Sequence, residues 1–169
     1  VQLLRGLELP SGESLNDLGC GYGALLDHLD ARHPGHETDY LGIDASAAMV
    51  TTARKRFRNR PQIAFAQGTR SLRTAGYCVA SGIFNVKLDR PCPQWEGHIR
   101  TTLQAMASHV RHGMAFNMLH LHHRHSSHPQ ALYFADPDSW RQWCEQALGM
   151  HALVLDDYGM KEFTLVCRR

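Results

Sequence analysis

The sequence predicts an α/β domain built on a doubly wound, mostly parallel sheet with helices on both faces and an antiparallel hairpin at the C-terminus. Three observations predict it. Short apolar segments with strand character alternate with segments of helical periodicity. The first strand candidate runs into a glycine-rich turn, Gly19-Cys20-Gly21-Tyr22-Gly23, and a helix pattern follows at once. The tail carries two strand patterns separated only by a turn, which favours direct antiparallel pairing.

Ser14 to Leu18 reads as the first strand, ending at the glycine turn. Leu25, Leu26 and Leu29 mark one face of a helix that His33-Pro34-Gly35 stops. Tyr40 to Ile43 is a second strand, ending at Asp44. Ser46 is placed to cap the next helix, whose inward face reads as Met49, Ala53 and Phe57. Gln62 to Ala66 and Tyr77 to Ile83 give the third and fourth strands. Trp95, Ile99, Leu103, Met106 and Val110 then fall at helical spacing, with His112-Gly113 as the stop and Met114 to Leu121 as a buried fifth strand. Asp136-Pro137 opens a last helix with Trp140, Trp143, Cys144, Ala147 and Leu148 on one face. His151 to Leu155 and Lys161 to Cys167 form the hairpin around Asp157-Tyr158-Gly159, with Phe163, Leu165 and Cys167 alternating against Glu162, Thr164 and Val166.

At 169 residues the chain reads as one domain spanning 1–169. A domain of that size buries roughly two-thirds of its unfolded surface. An apolar content of 43% with 20% charged residues excludes a disordered chain. The net charge of +2 is too small to imply a nucleic-acid partner by itself. Five scattered cysteines, odd in number and without a C-x-x-C pair, read as reduced thiols in a cytoplasmic protein rather than a disulfide frame or a zinc site. No apolar run approaches the roughly 20 residues of a membrane span, so no membrane partner is expected. The first residue is Val1, which leaves a trimmed start open.

Asp17 stands two positions before the glycine turn, and Asp44 ends the second strand. Glycines allow a sharp bend and close approach of the backbone to a ligand. A carboxylate beside that bend repels a pyrophosphate and attracts a cation or a hydroxyl. The pair therefore points to S-adenosylmethionine, which carries a sulfonium and an amino group but no phosphate. An acidic residue about 20 positions past such a turn accepts from ribose hydroxyls. Gly19, Gly21 and Ala24 also satisfy a dinucleotide fingerprint, but Gly23, Asp17 and the terminal hairpin favour the sulfonium ligand.

Asp17-Leu18-Gly19-Cys20-Gly21-Tyr22-Gly23, Tyr40-Leu41-Gly42-Ile43-Asp44 and the following Met49 together resemble class I S-adenosylmethionine-dependent methyltransferases over nearly the whole chain. The stretches Ala80 to Asp89, Ala115 to Leu119 and Leu132 to Pro137 look like a bacterial subgroup of small methyltransferases of cell-envelope saccharide or secondary metabolism. The resemblance implies that Asp17 and the backbone of Gly19, Cys20, Gly21 and Gly23 hold the amino-acid end of the donor. It implies Asp44 at the ribose, Ala45 and Met49 beside the adenine, and Ser81 and Gly82 near the methionine portion. Many relatives place Gly-Asp after the third strand; here Gly68 is followed by Thr69, so a hydroxyl or backbone contact replaces a carboxylate there. The fourth strand lacks the Asn-Pro-Pro-Tyr type of motif used on amide and base nitrogens.

Open α/β sheets bind ligands beyond the carboxyl ends of their strands, so Phe84, Asn85, Asn117 and His120 are the acceptor-side candidates. His120 lies nearest a strand end and is the candidate general base. The run His120, His122, His123, His125 and His128 has no interleaved carboxylate or cysteine and contains Ser126, Ser127 and Pro129, so it reads as a solvated loop rather than a metal site. Arg54, Lys55, Arg56, Arg58 and Arg60 read as a solvated helix end. The expected activity is methyl transfer to a small-molecule acceptor such as a sugar or natural product. RNA or protein methylation stays open on the basic run. A donor-binding module of little activity stays open because relatives carry acceptor-covering helices ahead of the first strand.

Overall fold

A computed structural model describes residues 2–7, 9–70, 73–125 and 127–169; Ser126 of the histidine-rich loop lies outside them. The elements are β1 (Ser14–Leu18), α1 (Ala24–Arg32), β2 (Asp39–Asp44), α2 (Ala47–Arg56), β3 (Ile63–Gln67), β4 (Ala75–Ala80), α3 (Cys92–Ser108), β5 (Val110–His120), β6 (Phe134–Ala135), α4 (Pro137–Leu148), β7 (His151–Leu155) and β8 (Glu162–Arg168). The sheet runs β3-β2-β1-β4-β5-β8-β7. Pairing is parallel from β3 through β5 and antiparallel for β5–β8 and β7–β8. Chain order reverses between β1 and β4, which opens a crevice at their carboxyl ends.

Alternation along the strands fills a core on each face. Leu15, Val79, Ala115 and Val166 point to the side of α1 and α2, where Leu26, Leu29, Val50 and Ala53 meet them. Cys78, Ala80, Met114, Phe116 and Leu165 point to the side of α3 and α4, against Ile99, Leu103, Trp140 and Cys144. Each fully buried Leu or Phe contributes roughly 1.5–3 kcal/mol. Thr164 and Val166, read in the sequence as the outer face of the last strand, are buried. The N-terminal 3-10 turn Gln2–Leu4 packs over β5 and β8, and Arg168 donates to the Gly6 carbonyl.

Several boundaries and faces differ from the sequence reading, among them the fourth strand, which runs Ala75–Ala80 rather than Tyr77 to Ile83. Val110 is not helical: α3 ends at Ser108, and Val110 starts β5 opposite Ala75. Gly113 is therefore not a helix stop but a strand residue, placed where a Cβ would stand 2.7 Å from the Cys167 carbonyl. Ser46 caps α2 by accepting from the Met49 N–H, which sets the phase so that Val50 and Ala53 face inward and Met49 is exposed. Ala147 likewise lies on the exposed side of α4.

The two-residue β6 was not legible in the sequence. It pairs with Leu119 and His120 after β4 has ended at the level of Phe116. β8 occupies the other edge of β5 through Leu119, so β6 takes over the edge that β4 leaves. Residues 131–133 thereby pair with residues 85–88, in the segment that follows β4.

Replacing Gly113 with Ala forces the β5–β8 pair apart or strains it. The expected loss of stability is about 1–3 kcal/mol, read by chemical denaturation.

Candidate cofactor and acceptor site

The glycine turn is fixed by the next strand. The Ile43 carbonyl accepts from the N–H groups of Gly19 (2.7 Å) and Cys20 (3.1 Å). The Asp44 carboxylate accepts from the Gly21 N–H at 2.9 Å and, through its other oxygen, from the Ser46 N–H at 2.8 Å. Each oxygen keeps a lone pair for a further donor. From behind, Arg56 donates to the Tyr22 carbonyl (2.7 Å) and to the Asp27 carboxylate, and its guanidinium lies over the Tyr22 ring.

The glycines of the turn serve different ends. Gly19 has φ +76°, and a Cβ there would stand 2.1 Å from the Ile83 side chain. Gly23 leaves its room to the Phe57 ring. Only Gly21, at φ +54°, has nothing within 4 Å of the Cβ position, so it is the glycine that leaves its backbone open to a ligand. The Cys20 side chain is turned inward, and burial pushes its thiol up to about 12. That thiol is inert at neutral pH, and Cys20 offers a ligand its backbone alone.

Asp17 ends up 3% exposed at the base of this turn. Tyr40, whose ring is fully buried, donates its hydroxyl to the Asp17 Oδ2 at 2.6 Å. No other side chain among the described residues donates to that carboxylate. Burial pushes the Asp17 carboxyl up to about 6, against the downward pull of the Tyr40 hydrogen bond. A buried carboxylate with a single donor is under-satisfied, and a cation placed beside it relieves the cost. The role of Tyr40 was missed in the sequence, where it reads only as an apolar strand residue.

The remaining cofactor-side candidates lie at the same end of the sheet. Ala45 and Met49 are exposed just past β2. Gly68 donates to the Asp44 carbonyl at 2.9 Å, and Thr69 is exposed beside it. Ser81 and Gly82 are exposed past β4.

The acceptor-side candidates separate. Phe84 is fully buried, edge-on to Phe116, and its carbonyl accepts from the Trp95 indole; it is a core residue rather than a wall of the crevice. Asn85 and Asn117 are joined through Glu162, a residue the sequence reading gave no role. One Glu162 oxygen accepts from Asn85 (2.8 Å) and the other from Asn117 (2.6 Å). Asn117 in turn accepts from the Gly82 N–H at 2.6 Å, and Asn85 accepts from the Leu119 N–H at 3.0 Å. This clasp ties the segment after β4 to β5 and β8.

His120 accepts from the His122 N–H through Nδ1, at 3.1 Å. The proton of its neutral ring then sits on Nε2, which presents a donor and not a base. Burial and the neighbouring His122 hold its pKa below the ordinary histidine value. Among the described residues no group of three or more His, Cys, Asp or Glu side chains is gathered in a way that could hold a metal.

A sheet with a reversed strand order, a glycine turn at the reversal and two carboxylates around it define a nucleotide-type site in an α/β enzyme fold. A family model described as "Methyltransferase domain" matches residues 16–113. A protein of Mycobacterium tuberculosis named "Putative methyltransferase Rv1506c" is 45% identical over 156 residues, which cover 92% of this chain and 93% of that protein. The structure of magnesium protoporphyrin IX methyltransferase from Synechocystis, with bound SAH, superposes with a TM-score of 0.70 at 13% identity, covering 94% of this chain and 75% of that one. Human N-acetylserotonin methyltransferase in complex with SAM gives a TM-score of 0.67 at 16% identity, covering 93% of this chain and 47% of that one. The chain belongs to the methyltransferase domain family.

Two consequences can be measured. The folded-state pKa of Asp17 lies above its ordinary value of 3.8, so the ionised group costs stability above about pH 6. That cost is relieved as pH falls from about 6 towards 3.8. Asp17→Asn is therefore expected to raise stability at pH 7.5 by roughly 1–3 kcal/mol, with the gain shrinking towards pH 4 in denaturation series. Glu162→Gln brings an amide NH2 against an asparagine NH2 and is expected to cost about 1–3 kcal/mol of stability. Because Asn117 also holds the Gly82 N–H, donor affinity and kcat should fall together.

Proposed function

We propose that the chain transfers the methyl group of S-adenosylmethionine to a small organic acceptor, a sugar or natural-product intermediate. The observation that supports donor binding most directly is the under-satisfied Asp17 carboxylate buried beside the open backbone of Gly21. The donor supplies a methyl group already made electrophilic by a cationic sulfur. Asp17 and the turn backbone receive its ammonium-bearing end, and Asp44 offers its spare lone pairs to the ribose hydroxyls. Ala45 and Met49 line the adenine side, with Gly68 and Thr69 at its edge. Ser81 and Gly82 pass along the methionine portion, held in place by the Asn117 side chain.

An acceptor lone pair or carbanion then forms the new bond to the methyl carbon while the carbon–sulfur bond breaks and its electrons stay on sulfur. The protein contributes alignment and exclusion of water, and a base is needed only for an acceptor that must lose a proton early. That fits a site without a prepared catalytic dyad. No helix of the described residues is long and apolar enough to cross a membrane.

RNA methylation drew on the basic run of α2. Arg54 donates to the Phe65 carbonyl, Arg56 is committed to the glycine turn and Asp27, and Arg60 pairs with Asp30. Two of the five cations are thus neutralised by carboxylates, which weakens the field the run offers to an RNA backbone, and a small acceptor is the favoured reading.

Calorimetry with S-adenosylmethionine and S-adenosylhomocysteine tests the donor half. Asp17→Ala and Asp44→Ala should each weaken binding by roughly 1–3 kcal/mol. Affinity of the wild-type protein should fall as pH drops below about 6, because Asp17 must be ionised to receive a cation. Unchanged affinity in both variants would remove the proposal. Methyl transfer from labelled donor to saccharide and small-metabolite pools tests the other half, and tight binding with no transfer would favour a binding module.

A further inference from the structure

Beyond β4 lies a second concavity that the donor site does not use. It is a cleft of about 490 Å³ between the segment that follows β4 and the return segment that leads into β6. Its charged lining is Lys87 and Arg124, with His125 and His128 beside them, and no carboxylate of the described residues lines it. Its floor is aromatic, formed by Tyr133 and Phe134.

The cleft is built rather than incidental. Lys87 and Leu88 both donate their N–H groups to the Ala131 carbonyl, and Val86 bridges to Leu132. The Lys87 ammonium braces the turn by donating to the Leu88 and Arg90 carbonyls, each at 3.3 Å, which leaves its third N–H for another acceptor. Leu88 in that turn is held at φ +57°, a costly backbone for a branched side chain. Tyr133 is locked by donating its hydroxyl to Glu96 and accepting from the Trp140 indole, so its ring face is fixed. The carboxylate of Glu96 is also engaged by Arg100. The His128 ring packs on Phe134 at 5.1 Å between centroids, and His128 accepts from the His125 N–H. The Arg124 side chain has no partner among the described residues.

Position ties the cleft to the chemistry. Lys87 follows Gly82 by five positions, and Gly82 is pinned at the donor side by Asn117. Phe134 pairs with Leu119 at the end of β5, directly past the end of β4. A molecule seated here lies past the carboxyl ends of β4 and β5, and β4 is one side of the donor crevice.

We propose that this cleft binds the acceptor, and that the acceptor is a small aromatic anion, a planar ring carrying a phosphate or carboxylate. The claim rests on the methyl-transfer reading above and, of its two acceptor types, selects an aromatic natural-product intermediate over a sugar. The ring packs against the half-buried Phe134 and the His128 ring that lies on it, and the anion meets Arg124 and Lys87. A guanidinium and an ammonium with no opposing carboxylate recognise either oxyanion.

The test is a titration of the whole chain, followed by heteronuclear NMR and calorimetry, with phenyl phosphate, benzoate, inorganic phosphate and benzyl alcohol. Phenyl phosphate and benzoate should shift the amide signals of 124, 125 and 132–134 and bind more tightly than inorganic phosphate or benzyl alcohol. Which of the two binds better identifies the anion. Arg124→Gln, at an exposed position that leaves the fold untouched, should weaken them at least fivefold. Lys87→Gln with Arg124→Gln should weaken them at least twentyfold, and Arg32→Gln, in a basic hollow elsewhere on the surface, should leave them unchanged. Equal binding of benzyl alcohol, or undiminished binding by Arg124→Gln, overturns the anion reading. S-adenosylhomocysteine affinity, measured alongside, separates the failures: if it binds and the aromatic anions do not, only this inference falls. If the anions bind and S-adenosylhomocysteine does not, the cleft stands as an anion site and the methyl-transfer reading falls.

Discussion

The Ile43 carbonyl, taking the N–H groups of both Gly19 and Cys20, is the contact on which the working end of the molecule depends. It forces the chain leaving β1 to bend at once over the end of β2. That bend follows directly on Asp17 and Leu18, the last residues of β1, and brings the Gly21 N–H onto Asp44. Two acidic residues far apart in sequence thus come to flank one turn, each held by a partner from the neighbouring segment. Arg56 closes the arrangement from outside by holding the Tyr22 carbonyl and the Asp27 carboxylate together. The turn is therefore shaped before any ligand arrives, which lowers the ordering cost of binding.

Asp17 shows what that preorganisation costs. A carboxylate at 3% exposure with one hydroxyl donor is a poor contributor to the folded state at neutral pH. Packing alone would favour an apolar residue or an amide at that position. A cation beside it would complete it, and conflicts between stability and local chemistry of this kind gather at functional sites. The Tyr40 hydroxyl limits the penalty by keeping the carboxyl from rising further, so that it is still ionised in neutral solution.

Much of this was legible in the sequence because local rules carry it. β1 agrees with its expected range to the residue, and Ser46 and Asp136 cap the helices they were expected to cap. The glycine turn and Asp44 were identifiable from spacing alone. What was not legible depends on partners distant in the chain. Val110 looks helical until Ala75 is beside it. Phe84 looks like a crevice residue until Phe116 and Trp95 enclose it. Glu162 looks like the outward half of an alternating strand, yet it joins Asn85 and Asn117 across β5 and β8. A two-residue strand such as β6 has no periodicity to detect, and its existence rests on the edge that β4 leaves free.

The distribution of positive charge makes the same point about net charge. A total of +2 is uninformative because the sum hides how the cations are used. The densest run, at the end of α2, looks most like a binding surface, yet Arg56 and Arg60 are each paired with a carboxylate of their own chain. Lys87 and Arg124 lie 37 positions apart and form no run at all, yet the return of the chain into β6 brings them to one cleft. A cation that already has a carboxylate contributes little field to a ligand, while one facing only carbonyls or solvent keeps most of its field. Where the positive potential of this molecule lies is thus set by the path of the chain after β5, and that path pairs with the segment that follows β4, where an acceptor would approach.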